Sequence, residues 1–167
     1  RFNDHGIACF LQGALDVAEA SWKEVERLRP DLPARYRNQA RRWIVSALPQ
    51  NAEALLRKVD EVAPTDPQRP YFWGLYFEKT EQFDHAEEAF AASLKVFPED
   101  RDAWRRLGAV RYKLHKYDDA LDAYLKALEI DPEDAEWHKR RQDIYRQLGK
   151  DREAAEAQKA FEKYKLD

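Results

Sequence analysis

Small and apolar residues recur along the chain with a period of 34 residues. Proline occupies the same place in four successive segments, at Pro30, Pro64, Pro98 and Pro132. Alanine recurs in the same way, at Ala18, Ala52, Ala86, Ala120 and Ala154. A period of about 20 to 50 residues indicates a stacked array in which each repeat covers the apolar face of its neighbour. The chain is therefore predicted to form one array of five repeats, over residues 1–32, 33–66, 67–100, 101–134 and 135–167.

Each repeat carries the signals of two helices. Asp66, Asp100 and Asp134 stand where an N-cap carboxylate would accept free amides, and Pro67 is expected at the first helical position. The prolines of the period prevent the second helix from continuing. Breaks between the two helices are predicted at Gly13, Pro49, 81–84, 115–118 and 149–151. A small residue on the first helix (Gly6, Ala40, Gly74, Gly108) is expected to meet a large one on the second (Trp22, Leu56, Phe90, Tyr124).

The fourth repeat resembles a known family. It carries Trp104, Leu107, Gly108, Tyr112, Tyr117, Ala120, Tyr124, Ala127 and Pro132. This pattern resembles the tetratricopeptide repeat, and the resemblance extends over the whole chain. It implies an all-α, right-handed α-solenoid whose function is non-catalytic protein recognition, with the first helices lining a concave groove. In the fifth repeat Arg141, Gln142 and Gln158 replace apolar or small residues, so we expect a partly polar terminal repeat.

A second resemblance concerns the first residues. The stretch from Arg1 to Ile7, followed by Leu11 to Gly13, is similar to the start of repeat domains appended to bacterial multihaem cytochromes c. No haem-attachment motif is present in the chain. Because the chain begins at Arg1 and contains no Met, we expect a mature or internal fragment of a larger protein. The resemblance implies an extracytoplasmic, secreted or periplasmic parent, but no signal in the sequence identifies a compartment.

Charge is divided unequally between the two helices of each repeat. The first helices hold 16 basic and 5 acidic residues, and the rest of the chain holds 13 basic and 27 acidic residues. The resemblance to the family then predicts a basic groove that binds an acidic, extended protein segment. The predicted groove residues are Arg37, Arg41, Tyr71, Lys79, Arg105, Tyr112, Lys113, Lys139 and Arg146. The alternative is that these arginines only pair with acidic residues of adjoining helices.

The ends of the array suggest another kind of contact. Phe2, Ile7, Phe10 and Leu11 lie near the outer edge of the first repeat, and Ala157 and Phe161 lie on the last, alanine-rich helix. Joining these two ends would repeat the internal stacking between chains. Such a contact gives a filament or a ring, because it closes only if its rotation happens to close. The alternative function is therefore a structural subunit that assembles head to tail.

Other classes of function have little support in the sequence. No catalytic motif is present, so we expect no enzyme and no cofactor. His5 and Cys9 lie four residues apart but at packing positions, and two ligands without companions do not predict a metal site. No segment reaches the roughly 20 apolar residues that span a bilayer. A pI near 5.9 and the absence of a repeated base-reading pair argue against nucleic acid.

Overall fold

The computed structural model describes residues 15–28, 33–46 and 49–165, and within these ranges it contains α-helices and turns but no strand. The helices are α1 (Leu15–Leu28), α2 (Pro33–Val45), α3 (Gln50–Val62), α4 (Arg69–Lys79), α5 (Phe83–Val96), α6 (Arg101–Lys113), α7 (Tyr117–Ile130), α8 (Ala135–Gln147) and α9 (Asp151–Tyr164). Repeats 33–66, 67–100, 101–134 and 135–167 each contain two of these helices. The prediction of an all-α helical-repeat fold is confirmed.

The chain divides into two compact units after Thr80. In the first unit, α2 packs against α3 and both contact α4. In the second unit each helix packs on the next one in sequence, from α5 on α6 to α8 on α9. Both units follow the local pattern of a repeat protein, in which an element contacts its neighbours along the chain. The single array over residues 1–167 stays a prediction.

The small and large residues of the second, third and fourth repeats lie in the core, and Gly6 of the first repeat lies outside the described residues. The periodic alanines Ala52, Ala86 and Ala120 are fully buried, and Phe90 and Tyr124 are almost fully buried. At Gly108 the fit to Tyr124 is close, since a Cβ atom there would lie 2.9 to 3.1 Å from three atoms of the tyrosine ring. Contacts that short force neighbouring atoms to move. The glycine therefore lets α6 and α7 approach each other in the fourth repeat.

Two of the three predicted N-caps are confirmed. Asp100 accepts a hydrogen bond from the backbone N–H of Ala103 at 3.0 Å, and Asp134 accepts one from Trp137 at 3.3 Å. Each carboxylate satisfies an amide that has no partner within the helix.

The prediction of a helix start at Asp66 and Pro67 is wrong, because α4 begins at Arg69. Pro70 has no N–H and cannot donate to the Asp66 carbonyl. That carbonyl instead accepts from the N–H of Arg69 at 3.1 Å, which closes a turn before the helix. The Asp66 carboxylate binds the Arg37 guanidinium and accepts the backbone N–H of Gln68 at 3.1 Å, within the turn that precedes α4.

The predicted breaks at Pro49, 81–84, 115–118 and 149–151 also occur, and the one at Gly13 lies outside the described residues. Glu81, His115 and Gly149 lie 34 residues apart and have φ angles of 60°, 59° and 69°. After α6 the N–H of Lys116 donates to Arg111 O at 2.9 Å, and after α8 the N–H of Lys150 donates to Tyr145 O at 2.8 Å. Each of these bonds joins an N–H to the carbonyl five residues earlier, which is the 6→1 bond of the Schellman motif. In this motif the helix ends at a residue with a left-handed backbone conformation, here His115 and Gly149.

Of the three polar residues noted in the last repeat, Gln142 is buried, and Arg141 and Gln158 are half-buried. Gln142 is 1% exposed, and its Nε2 donates to Oε1 of Gln158 on the neighbouring helix α9. Nε2 of Gln158 in turn donates to Oε1 of Glu162 at 2.6 Å. Gln142 and Gln158 occupy the repeat positions of Gly108 and Tyr124. An amide hydrogen bond therefore replaces a glycine–aromatic contact between α8 and α9.

Glu87 on α5 binds two cations from the following repeat. It accepts from Arg111 of α6 at 2.9 Å and from Lys116, in the turn after α6, at 2.6 Å. Burial by itself raises the pKa of Glu87, but the hydrogen bonds from Lys116 and Arg111 outweigh it and hold the pKa below its ordinary value. A depressed folded-state pKa stabilises the fold above the unfolded-state pKa of about 4.3, and the stabilisation disappears as the pH falls through the folded-state value.

We expect Glu87→Gln to lower the free energy of unfolding at pH 7 by about 1 kcal/mol, because the carboxylate and its ion pairs are lost. At pH 3, below the ordinary pKa of a Glu carboxyl, protonation of the unfolded chain removes part of this stabilisation, so the difference between the two proteins should shrink. Urea unfolding of both proteins at pH 7 and pH 3 measures the difference in their free energies of unfolding. Glu88→Gln is the matched control, since Glu88 is an exposed neighbour. The same difference at pH 7 and pH 3 would show that the ion pairs of Glu87 do not contribute.

Candidate functional site

A cavity of about 380 Å³ lies between α6 and α8 in the second unit. Asp100 and Asp134 cap these helices at the same repeat position, but α6 and α8 line the cavity with different faces, since among the lining residues only Ala109 and Asp143 correspond. We call it the α6–α8 cavity. Among its lining residues are Arg105, Tyr112, Lys113, Trp137, Arg140 and Asp143. Its volume lies in the range of about 300 to 1,000 Å³ that is usual for binding sites.

Aromatic side chains form the fixed part of the α6–α8 cavity. Tyr124 and Trp137 both line it and are 3% and 2% exposed. Tyr112 is more accessible, and its ring meets the edge of Tyr117 at 5.4 Å between centroids. Buried rings of this kind hold their positions because the surrounding core restricts their rotamers. The cavity therefore has a preformed apolar base.

The charged residues of the cavity differ in whether they are already paired. Arg105 contacts Asp102 on its own helix at 2.5 Å, and Arg140 contacts Glu136 at 2.8 Å. Lys113 and Asp143 have no ion-pair partner among the described residues. One cation and one anion thus remain available to a ligand in the cavity.

Of the nine predicted groove residues, three line this cavity: Arg105, Tyr112 and Lys113. Lys139 corresponds to Arg105 in the next repeat, but its ammonium lies 5.3 Å from the centre of the Phe161 ring on α9. Arg146 is exposed on α8. Arg140 and Trp137 were missed by the sequence prediction. Arg140 could have been found from its spacing, because it follows Glu136 by four residues and precedes Asp143 by three, on one helix face.

The other four predicted groove residues belong to the first unit. Arg37 binds Asp66, and the guanidinium groups of Arg37 and Arg41 lie 5.6 and 5.4 Å from the centre of the buried Phe72 ring. Tyr71 meets the edge of the same ring at 5.7 Å. Lys79 is exposed at the end of α4. For Arg37 the structure agrees with the alternative that groove arginines pair with acidic residues.

The residues predicted for end-to-end contact are only partly described. Phe2, Ile7, Phe10 and Leu11 lie outside the described residues, as do His5, Cys9 and the segment similar to cytochrome-associated repeats. Ala157 is fully buried, so it cannot itself present a surface to another chain. Phe161 is half-buried, and Lys139 and Lys165 both lie over its ring. A contact at this end would have to use Phe161 and its exposed neighbours.

Metal-binding clusters and membrane-spanning helices are both absent from the described part of the chain. No group of three His, Cys, Asp or Glu side chains there could hold a metal ion. Residues 15–28, 33–46 and 49–165 include no helix with both the length and the hydrophobicity to cross a bilayer. His138 is buried, with Nε2 2.8 Å from the Pro132 carbonyl and its ring stacked on Tyr164.

The fold defines the chain as a helical-repeat protein. The tetratricopeptide repeat family model matches residues 73–135 and 110–164, which together span more than half of the chain. The chain belongs to the tetratricopeptide repeat family. Repeats of this family are typically scaffolds for protein–protein interaction and are generally non-catalytic.

Solved structures with the same fold include two of MamA. A MamA crystal structure is 23% identical, covers 98% of this chain and 87% of its own, and superposes with a TM-score of 0.73. The structure of MamA residues 41 to the end, from Desulfovibrio magneticus RS-1, is 20% identical and superposes with a TM-score of 0.82. It covers 99% of this chain and 93% of its own. The structure of PilF from Pseudomonas aeruginosa is 14% identical and superposes with a TM-score of 0.86. It covers 98% of this chain and 74% of its own. These similarities show the fold alone. No curated protein sequence matches the chain.

Proposed function

We propose that the chain is a protein-recognition module and that the α6–α8 cavity holds an extended segment of the partner. The observation that carries the proposal is Lys113, a lysine without an ion-pair partner among the described residues, in a cavity with a fixed aromatic base. A flat aromatic base accommodates apolar side chains or peptide planes, and a free ammonium fixes one carboxylate. The family's typical role in protein interaction supports the same conclusion.

Charge favours an acidic partner. Three basic residues (Arg105, Lys113 and Arg140) and two acidic ones (Glu136 and Asp143) line the cavity. Since Arg140 and Glu136 already contact each other, Lys113 is the group that gains most from an incoming carboxylate. Asp143 would accept a backbone N–H of the bound segment, which an extended peptide offers at alternate residues. The excess of basic residues on the first helices favours the same partner over longer distances.

We expect fluorescently labelled acidic peptides in an extended conformation to bind with an affinity that falls as salt is added, because exposed charges are screened within about 8 Å at physiological ionic strength. Lys113→Glu should weaken binding by about five- to tenfold, since an attractive contact becomes a repulsive one. Fluorescence anisotropy at several salt concentrations measures both effects. Arg37 is a poor position for this test because it binds Asp66 within the fold.

Lys159→Glu is the matched control for net charge. Lys159 is an exposed lysine on α9, and it does not line the α6–α8 cavity. An equal loss of affinity in Lys159→Glu and Lys113→Glu would show that only net charge matters, and the cavity would then not be the site. Unchanged binding in Lys113→Glu would have the same meaning.

Two alternatives stay predictions. In one the chain assembles head to tail with copies of itself, using Phe161 at one end. In the other it is an accessory domain of a larger secreted or periplasmic protein, as the similarity of its first residues to cytochrome-associated repeats implies. The accessible residues of the α6–α8 cavity favour recognition of a partner segment over either alternative.

A further inference from the structure

A second cavity, of about 540 Å³, lies in the same unit between α5 and α7, with α6 contributing to its lining. We call it the α5–α7 cavity. It shares no lining residue with the α6–α8 cavity, and the α6 residues that line it, Trp104, Leu107 and Arg111, repeat at intervals of three and four. The two cavities therefore lie on different faces of α6. The proposed function makes no use of this second cavity.

The inner surface of the α5–α7 cavity is apolar. Leu94 and Leu107 are buried, and Trp104 and Leu125 are half-buried. The indole of Trp104 is held in place because its Nε1 donates to the Pro98 carbonyl at 2.8 Å. The cavity is consequently preformed, and its lining side chains offer a ligand more hydrophobic surface than hydrogen-bonding groups.

Opposite charges stand on the two walls. Arg111 is bound to Glu87 at 2.9 Å, and Lys126 is bound to Glu129 at 2.8 Å. Lys95 on α5 and Asp122 on α7 have no ion-pair partner among the described residues. A ligand in the cavity would therefore meet an available cation on one side and an available anion on the other.

Exposed hydrophobic residues stand at the ends of the same two helices. Val96 and Phe97, where α5 ends, are 47% and 39% exposed, and Ile130, the last residue of α7, is 40% exposed. Among the described residues of the second unit, these are the exposed large hydrophobic side chains. Exposed apolar groups concentrated beside an apolar cavity indicate an interaction surface.

We infer that the α5–α7 cavity binds an amphipathic helix of a partner protein, with an acidic flank beside Lys95 and a basic flank beside Asp122. The apolar lining favours a helix over an extended strand. A helix satisfies its own backbone hydrogen bonds, whereas a strand would leave amides facing Leu94, Trp104 and Leu125 without partners. Apolar residues spaced three and four apart on the helix would enter the cavity.

The test uses three labelled helical peptides with the same apolar face. One has glutamates along one flank and lysines along the other, the second has glutamates on both flanks, and the third has lysines on both. The mixed peptide should bind the wild-type chain most tightly. Lys95→Glu should make the all-lysine peptide the tightest, and Asp122→Lys should make the all-glutamate peptide the tightest, with changes of about fivefold in relative affinity by anisotropy.

Matched variants on α9 provide the controls. Lys159→Glu and Glu156→Lys change the net charge by the same amounts, and both positions are exposed and outside the cavity. They should keep the wild-type order of the three peptides. Lys113→Glu should also leave that order unchanged, so failure of this inference is separate from failure of the proposed function. All these positions are exposed, and circular dichroism would verify that each variant keeps its helical content.

Several outcomes would overturn the inference. One is that none of the three peptides binds, and another is that Lys159→Glu changes the peptide preference in the same way as Lys95→Glu. A third is that a mixed peptide whose helix is interrupted by proline binds as tightly as the uninterrupted mixed peptide. Self-association of the chain that Lys95→Glu abolishes would also overturn it, because the occupant would then be a second copy of this chain.

Discussion

Replacing Trp137 by alanine is expected to lower the free energy of unfolding by about 3–5 kcal/mol. Trp137 is 2% exposed and belongs to a core cluster with Tyr124 and Ile144, and the Arg101 guanidinium lies 5.5 Å from the centre of its ring. The alanine variant loses the transfer free energy of the indole and leaves a void that the close-packed helices can fill only in part. Urea unfolding monitored by circular dichroism measures the loss.

Trp104→Ala is the comparison for this prediction, because Trp104 is half-buried and packs at the edge of the same cluster. It should cost clearly less than Trp137→Ala. Trp137→Phe keeps an aromatic ring in the core and should also be milder. If the two alanine variants were equally stable, Trp137 would not have the central place in the core that its burial indicates.

Replacing Ala120 by leucine is expected to destabilise the chain by about 1–3 kcal/mol. Ala120 is fully buried in the cluster that contains Tyr124 and Trp137. Three additional carbon atoms have no space there, so α7 has to move away from its neighbours or adopt strained rotamers. The melting temperature of Ala120→Leu, compared with the wild type, tests this expectation.

Lys126→Leu is the matched control on the same helix. Lys126 is exposed and pairs with Glu129, so the substitution introduces the same leucine at the cost of one exposed ion pair. It should change the free energy of unfolding by less than about 1 kcal/mol. Equal melting temperatures for Ala120→Leu and the wild type would mean that the small position of the repeat is assigned incorrectly.

The sequence was most informative where local chemistry repeats. Caps at Asp100 and Asp134, and breaks at His115 and Gly149, were predictable because each depends on a few adjacent residues. The start of α4 was not, because the prediction placed Pro67 at the first helical position. It overlooked Pro70, whose missing N–H delays the helix to Arg69.

The site was less predictable because side-chain directions depend on the neighbouring helix. Arg105 and Lys139 occupy the same repeat position, yet Arg105 lines the α6–α8 cavity and Lys139 lies over Phe161. Arg105 is bound to Asp102 on its own helix, whereas Lys139 meets Phe161, which stands where the preceding repeat has Ala127. An aromatic face attracts an ammonium, and an alanine at that place offers no such partner. The repeat position alone therefore could not predict that Arg105 lines the cavity and Lys139 does not.

The amide pair of Gln142 and Gln158 distinguishes the last repeat from its neighbour while the chain folds. If α9 took the place of α7 against α6, Oε1 of Gln158 would face Gly108, which has no side chain to donate to it, and only the bond from Gln158 to Glu162 within α9 would remain. A buried carbonyl oxygen that loses its donor costs about 1–3 kcal/mol. In the native pair of α6 and α7, the Tyr124 ring packs against Gly108, which has no side chain. If α7 took the place of α9 against α8, the same ring would collide with the side chain of Gln142. Helices of similar sequence therefore recognise their own partners, and pairing out of order is penalised in both directions.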